Sequence, residues 1–198
     1  MREADALDFP PGERWAYSNS NYFLLGQIVL QVTGDDLGAF LDREVFGPLG
    51  LDAVMEPTAA IPSKATSYAR DGDRWVVADS PWEQLGDGGI QTTPTQLVKW
   101  ATQYWAPTIG GADVNTIRLT DAIDTGDSGR YGFGIIEAPI EGVRTLTHAG
   151  GWAGFVTSFV VAPDERLVVT GTCNSTSPHL EIAPPYYEVG ISILLDWL

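Results

Sequence analysis

From Tyr22 to Val32 apolar residues recur at helical spacing, at Phe23, Leu24, Ile28 and Val32, with Gln27 as a polar break. A period near 3.6 gathers such residues on one stripe. Gly34 follows as a C-cap, so the spacing predicts a helix over about 20–33. A second helix starts near Asp36, packs Leu37, Phe40, Leu41 and Val45, and stops before Gly47-Pro48. Residues 50–85 read as a loop-rich lobe with one hairpin. Tyr68-Ala69-Arg70 and Trp75-Val76-Val77 are its strands, turning around Asp71-Gly72-Asp73. Thr93 fits an N-cap and Pro94 the first helical position, which predicts a helix through Leu97, Val98, Trp100, Ala101 and Tyr104.

The last third changes period. Tyr131–Glu137, Thr145–Gly150, Val156–Ala162 and Leu167–Cys173 read as successive strands, with Pro163-Asp164-Glu165-Arg166 as a tight turn. Residues 186–198 read as a terminal helix packed on that sheet. Helices first and an antiparallel sheet later imply an α+β fold. We expect one domain over 1–198, with a mainly helical and loop lobe at 1–125 and antiparallel strands plus the C-terminal helix at 126–198. The chain holds no internal repeat and no low-complexity stretch.

Composition narrows the function classes. Hydrophobic residues are 44% of 198, enough for a packed core. Acidic residues outnumber basic ones 26 to 11, a formal charge of -15, and the only lysines are Lys64 and Lys99. A surface of that sign repels phosphate backbones and anionic lipid, so no nucleic-acid partner is expected. The acids are spread along the chain, which points to solubility and not to an acidic tail. One cysteine, Cys173, excludes an intrachain disulfide, and its apolar strand-like setting predicts a buried, inert thiol. Two histidines and one cysteine offer no metal-ligand cluster, and no cofactor is implied. No apolar run is long enough to span a bilayer, and Met1-Arg2-Glu3-Ala4-Asp5 is not a signal peptide.

Three short constellations could carry chemistry. Tyr17-Ser18-Asn19 sits just ahead of the first helix. Its bland reading is a packed tyrosine followed by capping residues. Its functional reading is a phenol that handles a proton beside an amide that orients substrate. A phenol titrates near pH 10 and needs a nearby cation to act as a base near neutrality. His148-Ala149-Gly150-Gly151 lies on a strand. It is either a surface histidine before a glycine bend, or an edge strand that accepts substrate by β-pairing, where glycine permits close approach and a backbone N–H polarises a carbonyl. Gly86-Asp87-Gly88-Gly89 lacks the lysine and hydroxyl of a phosphate-binding loop and reads as structural.

The order of the pieces adds a resemblance. Pro11-Gly12, Tyr17-Ser18-Asn19-Ser20-Asn21-Tyr22, Leu24-Leu25-Gly26 and Val32-Thr33-Gly34 resemble the Tyr-Ser-Asn block of class C β-lactamases and their relatives. Phe46-Gly47-Pro48-Leu49-Gly50-Leu51, Gly88-Gly89-Ile90-Gln91-Thr92-Thr93 with Gln96-Leu97, and Tyr131-Gly132-Phe133-Gly134 are similar to the blocks that follow in that family. Thr147-His148-Ala149-Gly150-Gly151 with Gly154-Phe155 resembles the His-x-Gly form of its third motif. Pro163-Asp164 to Thr172-Cys173-Asn174 resembles its closing hairpin. Six blocks in order cover nearly the whole chain. The chain is thus identified as similar to the serine β-lactamase and D-alanyl-D-alanine carboxypeptidase superfamily, with its antiparallel sheet flanked by helices.

The resemblance implies a serine that forms an acyl-enzyme with an amide, lactam or ester, which water then releases. It implies that Tyr17 is the general acid/base, Asn19 the substrate-amide contact, and His148 the stand-in for a lysine, binding a substrate carboxylate or the tyrosine oxygen. Gly150 would permit strand approach, and the Gly151 N–H would be an oxyanion-hole donor. The family's Ser-x-x-Lys is absent: Ile61 stands three residues before Lys64 and Gln96 three before Lys99. In the family that motif precedes the tyrosine block. The expectation is therefore a C-terminal fragment, incomplete at the N-terminus and inactive alone, whose parent takes a small-molecule or peptide substrate. Without that lysine Tyr17 is expected to be an ordinary phenol. The histidine favours a D-amino-acid peptidase, carboxypeptidase or esterase over a dedicated β-lactamase. A second reading is a non-catalytic protein that keeps the substrate-binding face or complements a separate chain. An exposed sheet edge would promote homo-oligomers. The resemblance is to bacterial enzymes and fits an extracytoplasmic or a cytoplasmic parent.

Overall fold

The structure is a computed structural model and describes residues 6–56, 60–78, 83, 85–126, 129–176 and 184–197. Ser18 caps helix α1 (Asn19–Thr33) by accepting the Asn21 N–H at 3.4 Å. Gly34 closes it at φ 80°, donating its N–H to the Leu30 carbonyl. Asp36 caps α2 (Leu37–Leu41) by accepting the Ala39 N–H at 2.9 Å. The helix does not stop before Gly47-Pro48, as its sequence suggested. It widens into a π turn over Asp42–Phe46 and continues as α3 (Gly47–Leu49). Gly47 donates to Asp42, five residues back, so the proline's missing N–H falls where the ordinary helical ladder is already interrupted.

Strand β1 (Val54–Met55) pairs with β4 (Ile90–Gln91), while β2 (Tyr68–Asp71) and β3 (Arg74–Val77) form the expected hairpin. Thr93 caps α4 (Pro94–Ala101), which tightens into a 3-10 turn over Thr102–Tyr104. Helix α5 (Val114–Thr120) and β5 (Ile123–Asp124) follow, and neither was legible as a periodic run. The single strand expected over Tyr131–Glu137 is instead a hairpin of β6 (Arg130–Tyr131) and β7 (Ile136–Glu137). Gly134 at φ 75° reverses the chain, and Gly132 has no side chain to obstruct the Arg118 carbonyl beside it.

Strands β8 (Leu146–Trp152), β9 (Phe155–Ala162) and β10 (Leu167–Cys173) complete a six-stranded antiparallel sheet in the order β10-β9-β8-β7-β6-β5. The Pro163–Arg166 turn joins β9 to β10, with the Arg166 N–H on the Pro163 carbonyl at 3.3 Å. Strand β11 (Ser175–Thr176) then crosses to pair in parallel with β2. The terminal helix α6 (Pro184–Asp196) packs on β9 and β10.

Alternation along β9 separates two faces. Val160 and Ala162 meet Leu194 of α6 in the core, with Val143, Leu167 and Val169 around them. Leu194 is 1% exposed, and truncation to alanine would cost about 2–5 kcal/mol. Phe159 points to the opposite face, where the Tyr104 ring meets it at 5.8 Å. Its antiparallel partner on β8 is His148, so His148 shares that second face.

Two expectations about packing change. The stripe of Leu24, Ile28 and Val32 does not face the core: these residues are 43%, 56% and 78% exposed. Helix α1 rests on the side carrying Tyr22, Phe23, Gly26 and Val29, because Gly26 is where the Leu37 side chain and the Leu85 carbonyl come close. Cys173 is half-buried, not buried, since it ends β10 with Sγ 3.3 Å from the Ser175 hydroxyl. Among the described strands β10 pairs only with β9.

Candidate active site

The lead-in to α1 and the strand β8 meet at one place. Tyr17 precedes the Ser18 cap, so the start of the helix fixes the direction in which its ring leaves the backbone. Asn19 is the first residue of α1 and is exposed. The Tyr17 and His148 rings lie 6.4 Å apart, tilted by 39°. Tyr17 is 54% exposed, as a group meeting solvent or a ligand would be.

His148 is half-buried and both its ring nitrogens are engaged. Nδ1 lies 2.7 Å from the Ala149 carbonyl, and Nε2 lies 3.2 Å from the Tyr131 hydroxyl. The Tyr22 hydroxyl donates to Tyr131 at 3.4 Å. The tyrosine that contacts the imidazole nitrogen is thus Tyr131, while Tyr17 faces the ring. Tyr131 is wedged between Trp15 at 5.7 Å and His148 at 5.9 Å, the latter edge-on at 70°. Sequence reasoning placed Tyr131 and Tyr22 inside recognisable blocks but gave neither a role. The only signal was a tyrosine in each block, and their meeting depends on the β6–β7 reversal.

The electrostatics depart from the ordinary phenol expected at Tyr17. Partial burial raises its pKa, and Tyr22 and the Asp87 carboxylate raise it further. Burial and the Tyr22 contact push Tyr131 far above the phenol range. Both phenols keep their protons at neutral pH. In the Gly86–Gly89 segment, Gly86 sits at φ 115° with no room for a side chain against the Tyr22 carbonyl, so it seats the loop on α1.

Gly150 and Gly151 continue β8 past His148. Gly150 pairs with Thr157, and a Cβ at residue 150 would meet the Thr157 hydroxyl at 2.5 Å. Gly151 is exposed and pairs with Val156. Among the described residues no group of three or more His, Cys, Asp or Glu side chains is placed to hold a metal. None of the described helices is long and apolar enough to cross a membrane.

The family model described as Beta-lactamase matches residues 1–189. A D-aminopeptidase of Cereibacter sphaeroides is 27% identical over 167 residues, covering 81% of this chain and 32% of that protein. A penicillin-binding protein of Bacillus subtilis is 25% identical over 184 residues, covering 84% of this chain and 41% of that protein. The solved penicillin binding protein from Bacillus halodurans superposes with a TM-score of 0.83 at 21% identity, over 98% of this chain and 60% of that one. The D-amino acid amidase from Ochrobactrum anthropi SV3 complexed with D-phenylalanine gives a TM-score of 0.73 at 18% identity, over 93% and 58%. The chain therefore spans about a third of the length of the D-aminopeptidases it matches.

Proposed function

The chain belongs to the β-lactamase family, and from that premise we propose that it is the C-terminal part of a serine hydrolase that works through an acyl-enzyme. Its bonds are amides, lactams or esters, with D-amino-acid peptidase, carboxypeptidase or esterase chemistry favoured over a dedicated β-lactamase. The observation that carries this reading is the approach of the Tyr17 and His148 rings, 6.4 Å apart, from the lead-in to α1 and from β8. The D-aminopeptidase and D-amino acid amidase names among the relatives support the choice of bond and of D-configured substrates.

In this scheme a serine from a Ser-x-x-Lys motif outside the present sequence attacks the carbonyl. Tyr17, ionised beside the lysine of that motif, takes the serine's proton and returns it to the leaving group as the scissile bond breaks. To act as a base it needs a cation beside it, and the lysine of that motif would supply one. Asn19 contacts the substrate amide, Gly150 lets substrate approach β8, and the Gly151 N–H donates to the developing oxyanion.

The test joins this chain to the in-frame coding sequence upstream of Met1. A Ser-x-x-Lys there, with labelling by a fluorophosphonate and hydrolysis of D-aminoacyl amides, is the expected result. The present chain alone should take no label. Labelling of the present chain, or a labelled parent inert toward D-aminoacyl amides, peptides and esters, would overturn the reading. One observation favours a non-catalytic binder instead: no Ser-x-x-Lys occurs in these 198 residues. In that case the upstream sequence lacks the motif and the chain alone binds D-aminoacyl peptides.

A further inference from the structure

We infer that Tyr131 is a positioning residue for His148, selecting the Nδ1–H tautomer whenever the imidazole is neutral and, through Tyr22, fastening the two walls of the site to each other.

A backbone carbonyl only accepts, so the 2.7 Å contact between His148 Nδ1 and the Ala149 oxygen requires a hydrogen on Nδ1. In neutral imidazole that leaves Nε2 with a lone pair and no hydrogen. The group 3.2 Å from Nε2 is the Tyr131 hydroxyl, which must then be the donor. A phenol has one hydrogen, so the Tyr131 oxygen faces Tyr22 as an acceptor at 3.4 Å. The chain runs in one direction, from Tyr22 on α1, through Tyr131 on β6, to His148 on β8 and out to a main-chain carbonyl.

Three features hold Tyr131 in that role. The Trp15 ring packs on it from the segment leading to Tyr17. The hairpin that carries it returns beneath the Tyr22 ring, where a Cβ at Gly134 would stand 3.5 Å from the Tyr22 hydroxyl. Burial keeps the Tyr131 hydrogen in place far into the alkaline range. The consequence concerns substrate recognition. With Nδ1 on a carbonyl and Nε2 receiving a phenol, neutral His148 has no hydrogen to offer a substrate carboxylate. In that form it is an oriented wall opposite Tyr17 that leaves the hydrogen bonding of substrate to other groups. This positioning role rests on the hydrolase reading, whereas the tautomer itself does not.

The experiment therefore uses the chain without substrate. In 15N-labelled protein carrying His179→Gln, His148 gives the sole imidazole signals, and long-range proton–nitrogen correlation reports which nitrogen is protonated. Imidazole side chains in water favour the Nε2–H form, so a reversal is diagnostic. We expect Nδ1–H to dominate by about fivefold or more, the scale of one net hydrogen bond. Tyr131→Phe keeps the ring and its packing but removes the donor, so the ratio should move toward Nε2–H while the melting profile changes little. Tyr22→Phe should weaken the bias in the same sense. A majority of Nε2–H in the otherwise native chain, or an unchanged ratio in Tyr131→Phe, overturns the inference. Should Tyr131→Phe fail to fold, an unchanged ratio in Tyr22→Phe overturns it. Either failure leaves the hydrolase reading standing, because no turnover is measured.

Discussion

The Thr157 hydroxyl occupies the space that a side chain at residue 150 would need, 2.5 Å from the Cβ that Gly150 lacks. The two residues are direct antiparallel partners on β8 and β9. The glycine two residues after His148 thus has a packing reason, separate from any approach of substrate. Gly150→Ala should cost about 1–3 kcal/mol, because the threonine must leave its rotamer. Adding Thr157→Ala should recover most of that loss. Denaturant midpoints for the two single variants and the double variant measure the coupling, and a purely additive double variant would show that the hydroxyl is not the obstacle.

The Tyr17 phenol should titrate above the usual value of about 10 in this chain. Burial is the largest cause and is unaffected by a charge change, so Asp87→Asn should lower the pKa only in part. Tyr22→Phe should lower it as well. Tyrosine Cζ chemical shifts followed with pH give the values. A Tyr17 titration that stays put in Asp87→Asn would remove the carboxylate from the account.

In a parent chain that carries Ser-x-x-Lys, Tyr17→Phe should lower turnover by about 10²–10⁴-fold with the fold intact, the range for a general acid/base. His148→Ala should instead act on substrate orientation and raise KM more than it lowers kcat. Steady-state kinetics with D-aminoacyl amides separate the two. Unchanged turnover in a folded Tyr17→Phe protein would make the phenol a packing group.

Stability should fall steeply above about pH 10. In the unfolded chain the phenols ionise there, while in the fold Tyr104 and Tyr131 hold their protons to higher pH. At Tyr104 burial outweighs the opposing effect of the Arg118 guanidinium, which stacks 4.9 Å over its ring. The unfolded state then binds fewer protons than the native one, so stability is fully present below about pH 10 and is lost as pH rises. Melting temperatures from pH 8 to 12 should drop less in Tyr104→Phe than in the unsubstituted chain, and parallel curves would contradict this.

The exposed stripe of Leu24, Ile28 and Val32 and the edge of β10 that no described strand pairs should drive self-association of this chain. Sedimentation velocity at rising concentration should show dimers or larger species, reduced by Ile28→Glu. A monomer at every concentration would count against both surfaces.

Local chemistry made much of this fold legible. Ser, Thr, Pro and Gly at element ends marked α1, α4, the β2–β3 hairpin and the β9–β10 turn, because caps and turns need those residues wherever they occur. Strands of two residues such as β5 and β11 have no period to detect. The apolar stripe of α1 was visible, but which side would be covered depends on Gly26 and on the loop that rests against it. At the site, Tyr17 and His148 stood in patterns that suggested chemistry. Tyr131 did not, since its contact with His148 exists only once Gly132 and Gly134 have turned the chain back.

The parallel pairing of β11 with β2 bears on the time order of folding. Asn174 donates to the Thr66 carbonyl at 2.8 Å and accepts the Tyr68 N–H at 2.8 Å, and Ser175–Thr176 then lie along Tyr68–Ala69. Thr66 is made 108 residues before Asn174, so the hairpin must wait for its parallel partner. Until β11 emerges from the ribosome, the β2–β3 hairpin lacks that partner. Its amides would gain protection from exchange only together with the docking of β10 on the central sheet, because β10 ends at Cys173 and β11 begins at Ser175.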